Sequence, residues 1–314
     1  MNFSWWTPPS GSNFSPQVDT LFFSLVGFTA LITGGVMAFI VYFCWKYRAG
    51  SKADRSDRKS NNLTLELSWT GIPFVIAMVF FVLGADLYFD EFTPPANSLR
   101  IYTIGKQWMW KFEHPEGQRE INQLHLPLGR PIELVMISQD VIHDVFIPAF
   151  RIHHDLLPDR YYSEWFTPTR LGTYDLLCSQ YCGTFHSDMR ADVIVMPPQQ
   201  YARWLAHGHP QGTMAQRGSR LFIRLGCSGC HGPASSVHAP DLAGIYDMPV
   251  PLSNHTIVIA DDTYLRDSIL LPNSQIVAGF QHIMPSYKGH VTEGEILDLI
   301  EFIKSLGTRE RRRT

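Results

Sequence analysis

Two long apolar stretches stand near the start of the chain and predict membrane-spanning helices. Residues 21–45 contain no charged side chain, and residues 69–89 are interrupted only by Asp86. A hydrocarbon core about 30 Å thick needs roughly 20 apolar helical residues, so either stretch is long enough to cross it. Two buried core helices are the alternative, which the length and the lack of charge oppose. We therefore expect two transmembrane helices, at about 18–46 and 67–90.

The loop between the two stretches is basic and predicts the orientation of the pair. An excess of Lys and Arg marks the cytoplasmic side of a membrane. Both termini, and everything after about residue 90, should then lie on the extracytoplasmic (periplasmic) side of a bacterial plasma membrane. The charged residues of the loop are Lys46, Arg48, Lys52, Arg55, Arg58 and Lys59, against Asp54 and Asp57.

The pattern changes after the second stretch and predicts an all-β unit over residues 96–205. Residues 99–112 and 132–138 are rich in β-branched and aromatic side chains and are bounded by Pro and Gly. No long helical period follows until about Gln199. We expect a small Greek-key sandwich that holds its loops at the ends of a rigid pair of sheets. The N-terminal segment before it spans residues 1–95.

Sulfur and imidazole ligands are concentrated in one short stretch, residues 178–189. These ligand types favour copper over magnesium, calcium or manganese. Two thiolates four residues apart can bridge two copper ions, with an imidazole on one ion and a thioether on the other. A second imidazole is then required, and His143 is the candidate because it follows a predicted strand. The ligands in the stretch are Cys178, Cys182, His186 and Met189.

Other chemistry for these residues stays open. A structural zinc ion could use the two cysteines and His186. A redox disulfide is less favoured, because redox dithiols have the spacing Cys-x-x-Cys. The fifth cysteine, Cys44, has no obvious partner. His125, His153 and His154 lie outside the pattern, and a lone histidine is more often structural.

A second site lies near the C-terminus, at Cys227-Ser-Gly-Cys230-His231, and predicts covalent attachment of haem c. It belongs to a separate unit, residues 215–308, that follows a Gly- and Pro-containing linker at 206–213. His231 would be the proximal ligand. Met284, which precedes Pro285, is the expected sixth ligand, and a methionine there raises the haem potential. The rival sixth ligands are Met248, His255 and His282.

The end of the chain predicts a helix that packs in the core of this unit. Thr292 and Glu295 form a possible capping box, and Gly307 is the expected stop. A basic tail at 309–314 should follow. The apolar positions at helical spacing are Ile296, Leu299, Ile300, Ile303 and Leu306.

From Glu66 to Met189 the chain resembles subunit II of the haem–copper cytochrome c oxidases. The resemblance rests on the aromatic segment at 105–112, the segment 140–143 and the loop 178–189. It implies a cupredoxin-like sandwich and places Trp108 on the path by which electrons reach copper. It also implies a binuclear copper centre bridged by Cys178 and Cys182, with the other ligands being His143, His186, Met189 and the backbone carbonyl of Gln180.

The chain departs from the family pattern where subunits meet. The family usually has Glu in place of Gln180, and that carboxylate helps to bind an interface magnesium ion, which is in doubt here. His153 and Asp159 stand where the family usually has Lys and Gly. Glu66 matches an acidic position near a proton pathway, although a carboxylate at a helix N-terminus is also favoured by the helix dipole alone. Residues 215–308 resemble class I cytochrome c, which implies an all-helical fold.

Together these features predict subunit II of a terminal oxidase with a fused cytochrome c unit. Electrons would pass from haem to copper and on to subunit I, where oxygen is reduced to water with proton translocation. The linker would set the effective concentration of the haem unit. Expected partners are subunit I, other oxidase subunits, the membrane, and a donor that is a cytochrome, a small copper protein or a membrane complex.

Two other functions remain open from the sequence. The same parts could form the electron-accepting subunit of a nitric oxide reductase, or an anchored carrier without a catalytic partner. The copper ligands oppose a quinol oxidase subunit. A net charge of −3 gives no indication of nucleic-acid binding.

Overall fold

The computed structural model describes most of the 314-residue chain. The predicted linker and basic tail fall largely on residues 207–211 and 311–314, which lie outside the described part. The described residues are 7–55, 62–206, 212–232, 235, 237 and 239–310.

Two long helices open the described chain, α1 over Ser15–Lys46 and α2 over Leu63–Glu91. Both are long and apolar enough to cross a membrane. Each begins a few residues before the predicted start. Pro16 suits the first turn of α1. The side-chain oxygen of Asn62 accepts the N–H of Leu65 at 3.1 Å and caps α2.

Ten strands then form a cupredoxin-like Greek-key sandwich of two five-stranded sheets. The sheet orders are β3-β2-β1-β5-β8 and β4-β10-β9-β6-β7. The predicted run 99–112 is in fact a hairpin of β1 and β2, paired through Ile104 and Lys111. The strands are β1 Leu99–Lys106, β2 Met109–Glu113, β3 Arg119–Ile121, β4 Gln123–Pro127, β5 Ile132–Ser138, β6 His143–Ile147, β7 Ile152–Leu156, β8 Tyr162–Phe166, β9 Gly172–Cys178 and β10 Arg190–Met196.

An aromatic and aliphatic core fills the space between the two sheets. Trp110, Phe112 and Leu134 from one sheet and Val145 and Val193 from the other have no exposed surface. Burial of such side chains contributes roughly 1.5–3 kcal/mol each. Helix α3, Pro198–Ala206, packs on this core through Tyr201. The sandwich is therefore a rigid support for the loops at its ends.

The C-terminal unit is mainly helical, as predicted, with one addition. Thr292 and Glu295 form the predicted capping box, in which the Glu295 N–H donates to Thr292 Oγ1 at 3.3 Å. The stop predicted at Gly307 is wrong, because the last helix continues to Glu310. A two-stranded ribbon of β11 and β12 also interrupts the expected all-helical fold. The elements are α4 Met214–Arg224, α5 Ser228–His231, β11 Pro249–Pro251, β12 Ile257–Ile259, α6 Asp262–Leu270 and α7 Glu293–Glu310.

The helical unit packs directly on the outer face of the sheet that contains β1 and β5. Tyr102, Ile104, Val135 and Ile137 point outward from that sheet and are buried in a second apolar cluster with α4, α6 and α7. Both faces of β1 and β5 are therefore covered. The covalent linker is not the only element that holds the C-terminal unit beside the sandwich.

Buried charges line the same interface. Arg217 of α4 donates two hydrogen bonds to Asp298 of α7, at 2.9 and 2.6 Å, and lies 3.6 Å from Glu113 of β2. Tyr161 donates to Glu293 at 2.6 Å, and Glu293 also accepts from Arg266. Further cross-interface contacts are Tyr102 to Glu301, Lys304 to Tyr102, Arg100 to Asp262, Arg100 to Tyr246, Arg119 to Asp298 and Arg266 to Asp159.

Candidate copper and haem sites

The predicted copper ligands meet at one end of the sandwich. The sulfur atoms of Cys178 and Cys182 lie 3.8 Å apart. The Nδ1 atom of His143 lies 3.9 Å from the Cys178 sulfur, and the Nδ1 atom of His186 lies 3.6 Å from the Cys182 sulfur. His143 starts β6 and Cys178 ends β9, and these strands are neighbours, so the sheet itself brings the two residues together.

The remaining two predicted donors complete the group. The Met189 thioether sulfur lies 3.8 Å from the Cys182 sulfur. The carbonyl oxygen of Gln180 lies 3.2 Å from the Cys178 sulfur, while the Gln180 side chain is exposed. Two imidazoles, one thioether and one carbonyl therefore each lie within 3.9 Å of one of the two thiol sulfurs. This donor set fits a soft metal centre.

The geometry discriminates between the alternatives left by the sequence. An S–S bond is about 2.05 Å long, so the 3.8 Å separation of Cys178 and Cys182 is not a disulfide. Donor atoms of His143, Cys178 and Cys182 all lie within 4.8 Å of one another. A structural zinc ion takes four ligands, and the six donors grouped around the two sulfurs exceed that number. The donor set therefore fits a single structural zinc ion poorly.

Hydrogen bonds around the ligands orient them. The Asp140 carboxylate lies 2.8 Å from Nε2 of His143 and also accepts the N–H of Gln107 at 2.8 Å. Burial alone would raise the pKa of Asp140, but these hydrogen bonds outweigh it and lower the pKa. A carboxylate on the outer nitrogen fixes the ring and leaves Nδ1 of His143 facing the sulfurs. Asp140 and Gln107 were not predicted, although Asp140 lies three residues before a predicted ligand.

The β1–β2 hairpin supports the copper loop from the side. The Gln107 side-chain amide and the Trp108 indole N–H both donate to the Cys182 carbonyl, at 2.8 and 3.3 Å. Trp108 is partly buried and lies edge-on to Phe185 of the loop. Gly183 adopts φ = 117°, which a side chain would strain, and its Cα packs under Trp108. Trp108 is thus in direct contact with the ligand loop.

Burial affects the chemistry of the thiols. Cys178, Cys182, Met189 and His143 are each less than a tenth exposed. Burial raises the pKa of the Cys182 thiol to about 12, and the nearby Cys178 adds to the rise. Metal ligation needs the thiolate, so loading this site must displace a proton.

The Cys227–His231 motif lies on the wall of an apolar cavity. Helix α4 leads into it, and the short α5 places Cys227, Cys230 and His231 on the same wall. The Nδ1 atom of His231 lies 2.9 Å from the Pro240 carbonyl, which can only accept, so Nδ1 carries the proton. Nε2 of His231 is then free to ligate iron, and the apolar lining of the cavity suits a haem.

The lining of this cavity discriminates among the sixth-ligand candidates. Met284 and His282 line it, whereas Met248 and His255 do not. Met284 is half-buried and His282 is exposed. Of the predicted set, Met284 is the one whose burial suits an axial ligand.

Other predicted residues lie apart from these sites. Glu66 is in the first turn of α2, half-exposed, far along the chain from either centre. The imidazole of His125 hydrogen-bonds Glu120, and that of His153 hydrogen-bonds Ser179, so neither belongs to the copper group.

Comparison with known proteins gives the family. A profile described as "Cytochrome C oxidase subunit II, periplasmic domain" matches residues 118–196, and one described as "Cytochrome c" matches residues 215–307. The chain is 29% identical over 241 residues to an alternative cytochrome c oxidase subunit 2 of Bradyrhizobium diazoefficiens, an alignment that covers 64% of this chain and 83% of that protein.

Two further relatives give the same result. A heme-copper oxidase subunit 2 of Aeropyrum pernix is 30% identical over 200 residues, covering 58% of this chain and 84% of that protein. A cytochrome c oxidase subunit 2 of Alkalihalophilus pseudofirmus is 24% identical over 320 residues, covering 96% and 90%. The chain therefore belongs to the subunit II family of the haem–copper oxidases, as a member with a cytochrome c domain at its C-terminus.

Proposed function

We propose that this chain accepts electrons outside the cytoplasm and passes them to subunit I, where oxygen is reduced to water with proton translocation. The observation that carries this proposal is the grouping of six predicted donors around the two cysteine sulfurs at the end of the sandwich, in the same chain as a cavity lined by Cys227, Cys230 and His231. When bound, a pair of copper ions and a covalent haem c would supply one-electron redox chemistry.

The protein's part at the copper site is to hold the donors in place. The copper ions would be held by Cys178, Cys182, His143, His186, Met189 and the Gln180 carbonyl. His143 begins β6, Cys178 ends β9 and Met189 directly precedes β10, while Asp140 fixes the ring of His143. A buried, pre-formed donor set changes shape little when its charge changes, which favours rapid electron transfer.

At the haem site, His231 and Met284 would hold the haem iron. The Pro240 carbonyl orients His231 by accepting its Nδ1–H. The cavity wall is apolar and includes Phe222 and Leu299, so it excludes water from the site. We assign to Trp108 the route by which electrons reach the copper loop, because its indole N–H contacts the Cys182 carbonyl.

The location follows from how the helices meet the sandwich. Asp19 of α1 forms an ion pair with Arg151 at 2.8 Å, and the Trp165 indole N–H donates to the Asp90 carbonyl of α2 at 2.6 Å. The start of α1 and the end of α2 therefore both contact the sandwich. We infer that the sandwich and the haem unit lie outside the plasma membrane of a bacterium, with the basic loop on the cytoplasmic side.

The partners we propose are subunit I, the other oxidase subunits and an electron donor. The donor would be a soluble cytochrome, a small copper protein or another membrane complex. Glu66 is proposed to lie near a site of proton uptake, because it stands at the end of α2 that would face the cytoplasm.

Metal and haem analysis of the full-length chain in detergent tests this proposal. We expect two coppers and one covalent haem per chain, with the electron paramagnetic resonance signal of a delocalised copper pair. Cys182→Ser should lose that signal. Cys44→Ser is the matched control, since Cys44 is exposed at the end of α1, and it should keep the signal. A single zinc, or one mononuclear copper per chain, contradicts the proposal. Oxygen consumption by the complex that co-purifies separates an oxidase from a nitric oxide reductase.

A further inference from the structure

One core position of the sandwich is occupied by a carboxyl group that has no cation beside it among the residues that the structure describes. Glu164 is the middle residue of β8, between the half-buried Tyr162 and the fully buried Phe166 on the same face of the strand. Its cross-strand partner is Leu134, which has no exposed surface. Glu164 itself is only 3% exposed. The residue therefore stands where the sheet pattern calls for an apolar side chain.

The hydrogen bonding of Glu164 does not suit a carboxylate. The N–H of His153 donates to the carboxyl group, but Oε2 is buried and has no hydrogen-bond partner within the described residues. An ionised carboxylate can accept about four hydrogen bonds. Burial of an unpaired charge is costly enough that the group takes up a proton instead. Other buried acids of the chain, such as Glu113 and Glu293, lie against arginines.

Charged groups near Glu164 oppose its ionisation further. The negative charges that act on it are those of Glu91 at the end of α2 and Asp144 of β6. Strand β7 contributes the titratable residues His153, His154 and Asp155, of which His153 is bound to Asp144 at 3.2 Å. Strand β5 presents the apolar Leu134. Burial raises the pKa of Glu164 to about 8, and the negative charges of Glu91 and Asp144 add to the rise.

The position of this carboxyl in the fold is specific. The last turn of α2 docks on β8, where the Trp165 indole holds the Asp90 carbonyl, and the ring of Phe92 lies 5.6 Å from that of His154. Among the described residues, Nε2 of His154 is another buried atom without a hydrogen-bond partner. Glu164 thus lies on the strand where the membrane helix meets the sandwich.

We propose that Glu164 is a proton-binding site at this junction, a neutral carboxylic acid in the folded protein. The site takes one proton on the outer side of the membrane. Its use as a point of proton release rests on the proposed oxidase function, but the existence of the site does not.

Infrared difference spectroscopy on the full-length chain in detergent tests the site. The wild-type protein minus Glu164→Gln should show the carbonyl stretch of a protonated carboxylic acid at neutral pH. That band should convert to carboxylate as the pH rises through about 8. Glu295→Gln is the matched control, because Glu295 is a surface acid paired with Arg224, and it should leave the band unchanged.

A second variant keeps the test valid if Glu164→Gln does not fold. Glu91→Gln removes a neighbouring negative charge while leaving Glu164 in place, so the band should persist and titrate at lower pH. The absence of an acid band assignable to Glu164 at neutral pH overturns the proposal. So does a bound divalent cation that is lost in Glu164→Gln, because Glu164 would then be ionised. A chain that shows the band but binds no copper contradicts the proposed function only.

Discussion

Arg217 is the side chain on which docking of the haem unit depends most. It extends from α4, is only 6% exposed, and donates two hydrogen bonds to Asp298 of α7. It also donates to the Gly117 carbonyl of the sandwich at 3.2 Å and lies 3.6 Å from the Glu113 carboxylate of β2. Replacement of Arg217 by alanine would leave the buried carboxylates of Asp298 and Glu113 with less positive charge beside them.

The expected loss in the free energy of unfolding for Arg217→Ala can be worked out from this geometry. Removal of one partner of a buried, hydrogen-bonded ion pair typically costs about 3–5 kcal/mol. Arg119 stays within 3.1 Å of both acids, although it is half-exposed, and it offsets part of the loss. We therefore expect Arg217→Ala to destabilise the chain by about 3 kcal/mol, the lower end of that range. Arg217→Lys keeps the charge but loses the bidentate contact, so its effect should be intermediate.

The matched control is Arg224→Ala. Arg224 lies on the same helix and also forms an ion pair, with Glu295 at 2.7 Å, but its side chain is 66% exposed. Exposed pairs contribute about 0–1 kcal/mol. Denaturant titration of the solubilised chain, followed by circular dichroism and haem absorbance, gives the free energy of unfolding of each variant. If Arg217→Ala costs no more than Arg224→Ala, the buried network does not hold the haem unit in place.

Four further outcomes follow from the structure. Met284→Ala should lower the haem reduction potential and remove the spectral signature of methionine ligation, whereas Met248→Ala should change neither. Glu66→Gln should slow proton uptake while leaving copper reduction unchanged, and unchanged turnover would remove the proposed role. Because folding raises the pKa of Glu164 from 4.5 to about 8, its contribution to stability is present below pH 4.5 and is lost as the pH rises to 8. The free energy of unfolding of the wild type relative to Glu164→Gln should therefore fall by about 1.4 kcal/mol per pH unit in that window, measured by denaturant titration. Insertion of a Gly/Ser segment at 207–211 should leave internal electron transfer unchanged in stopped-flow kinetics, since a docked unit does not depend on tether length as a free one does.

Most of the candidate copper and haem ligands could be predicted from the sequence because they lie close together in the chain. Cys178, Cys182 and His186 lie within nine residues of one another, and a haem attachment motif spans only five. His143 is the exception, and it was predicted from ligand count and the strand before it. The neighbouring strands β6 and β9 supply the reason that it reaches the cysteines.

Docking of the haem unit was not predicted, because it depends on contacts between residues more than a hundred positions apart. A signal was nevertheless present. Ile101-Tyr-Thr-Ile104 and Leu134-Val-Met-Ile137 are almost continuously apolar, and such strands are typical of sheets covered on both faces. A sheet with one solvent-exposed face should instead show alternating apolar and polar residues in these strands. The burial of Glu164 was not predicted, because a single acid in a short strand suggests a solvent-facing position. Only its spacing of two residues from Phe166 indicates that both side chains lie on the same face of the strand.

The β1–β2 hairpin connects the two redox sites mechanically. At its turn, Gln107 and Trp108 hold the Cys182 carbonyl. At the far end of β2, Glu113 faces Arg217 of the haem unit. Met109 to Glu113 is four steps of about 3.3 Å, so roughly 13 Å of strand separates the two contacts. Because the inner face of β2 is packed in the sandwich core and its partner β1 is covered on both faces, this strand has little freedom to bend. The same element therefore fixes the copper loop and the haem unit, and their relative position is a property of the folded sheet.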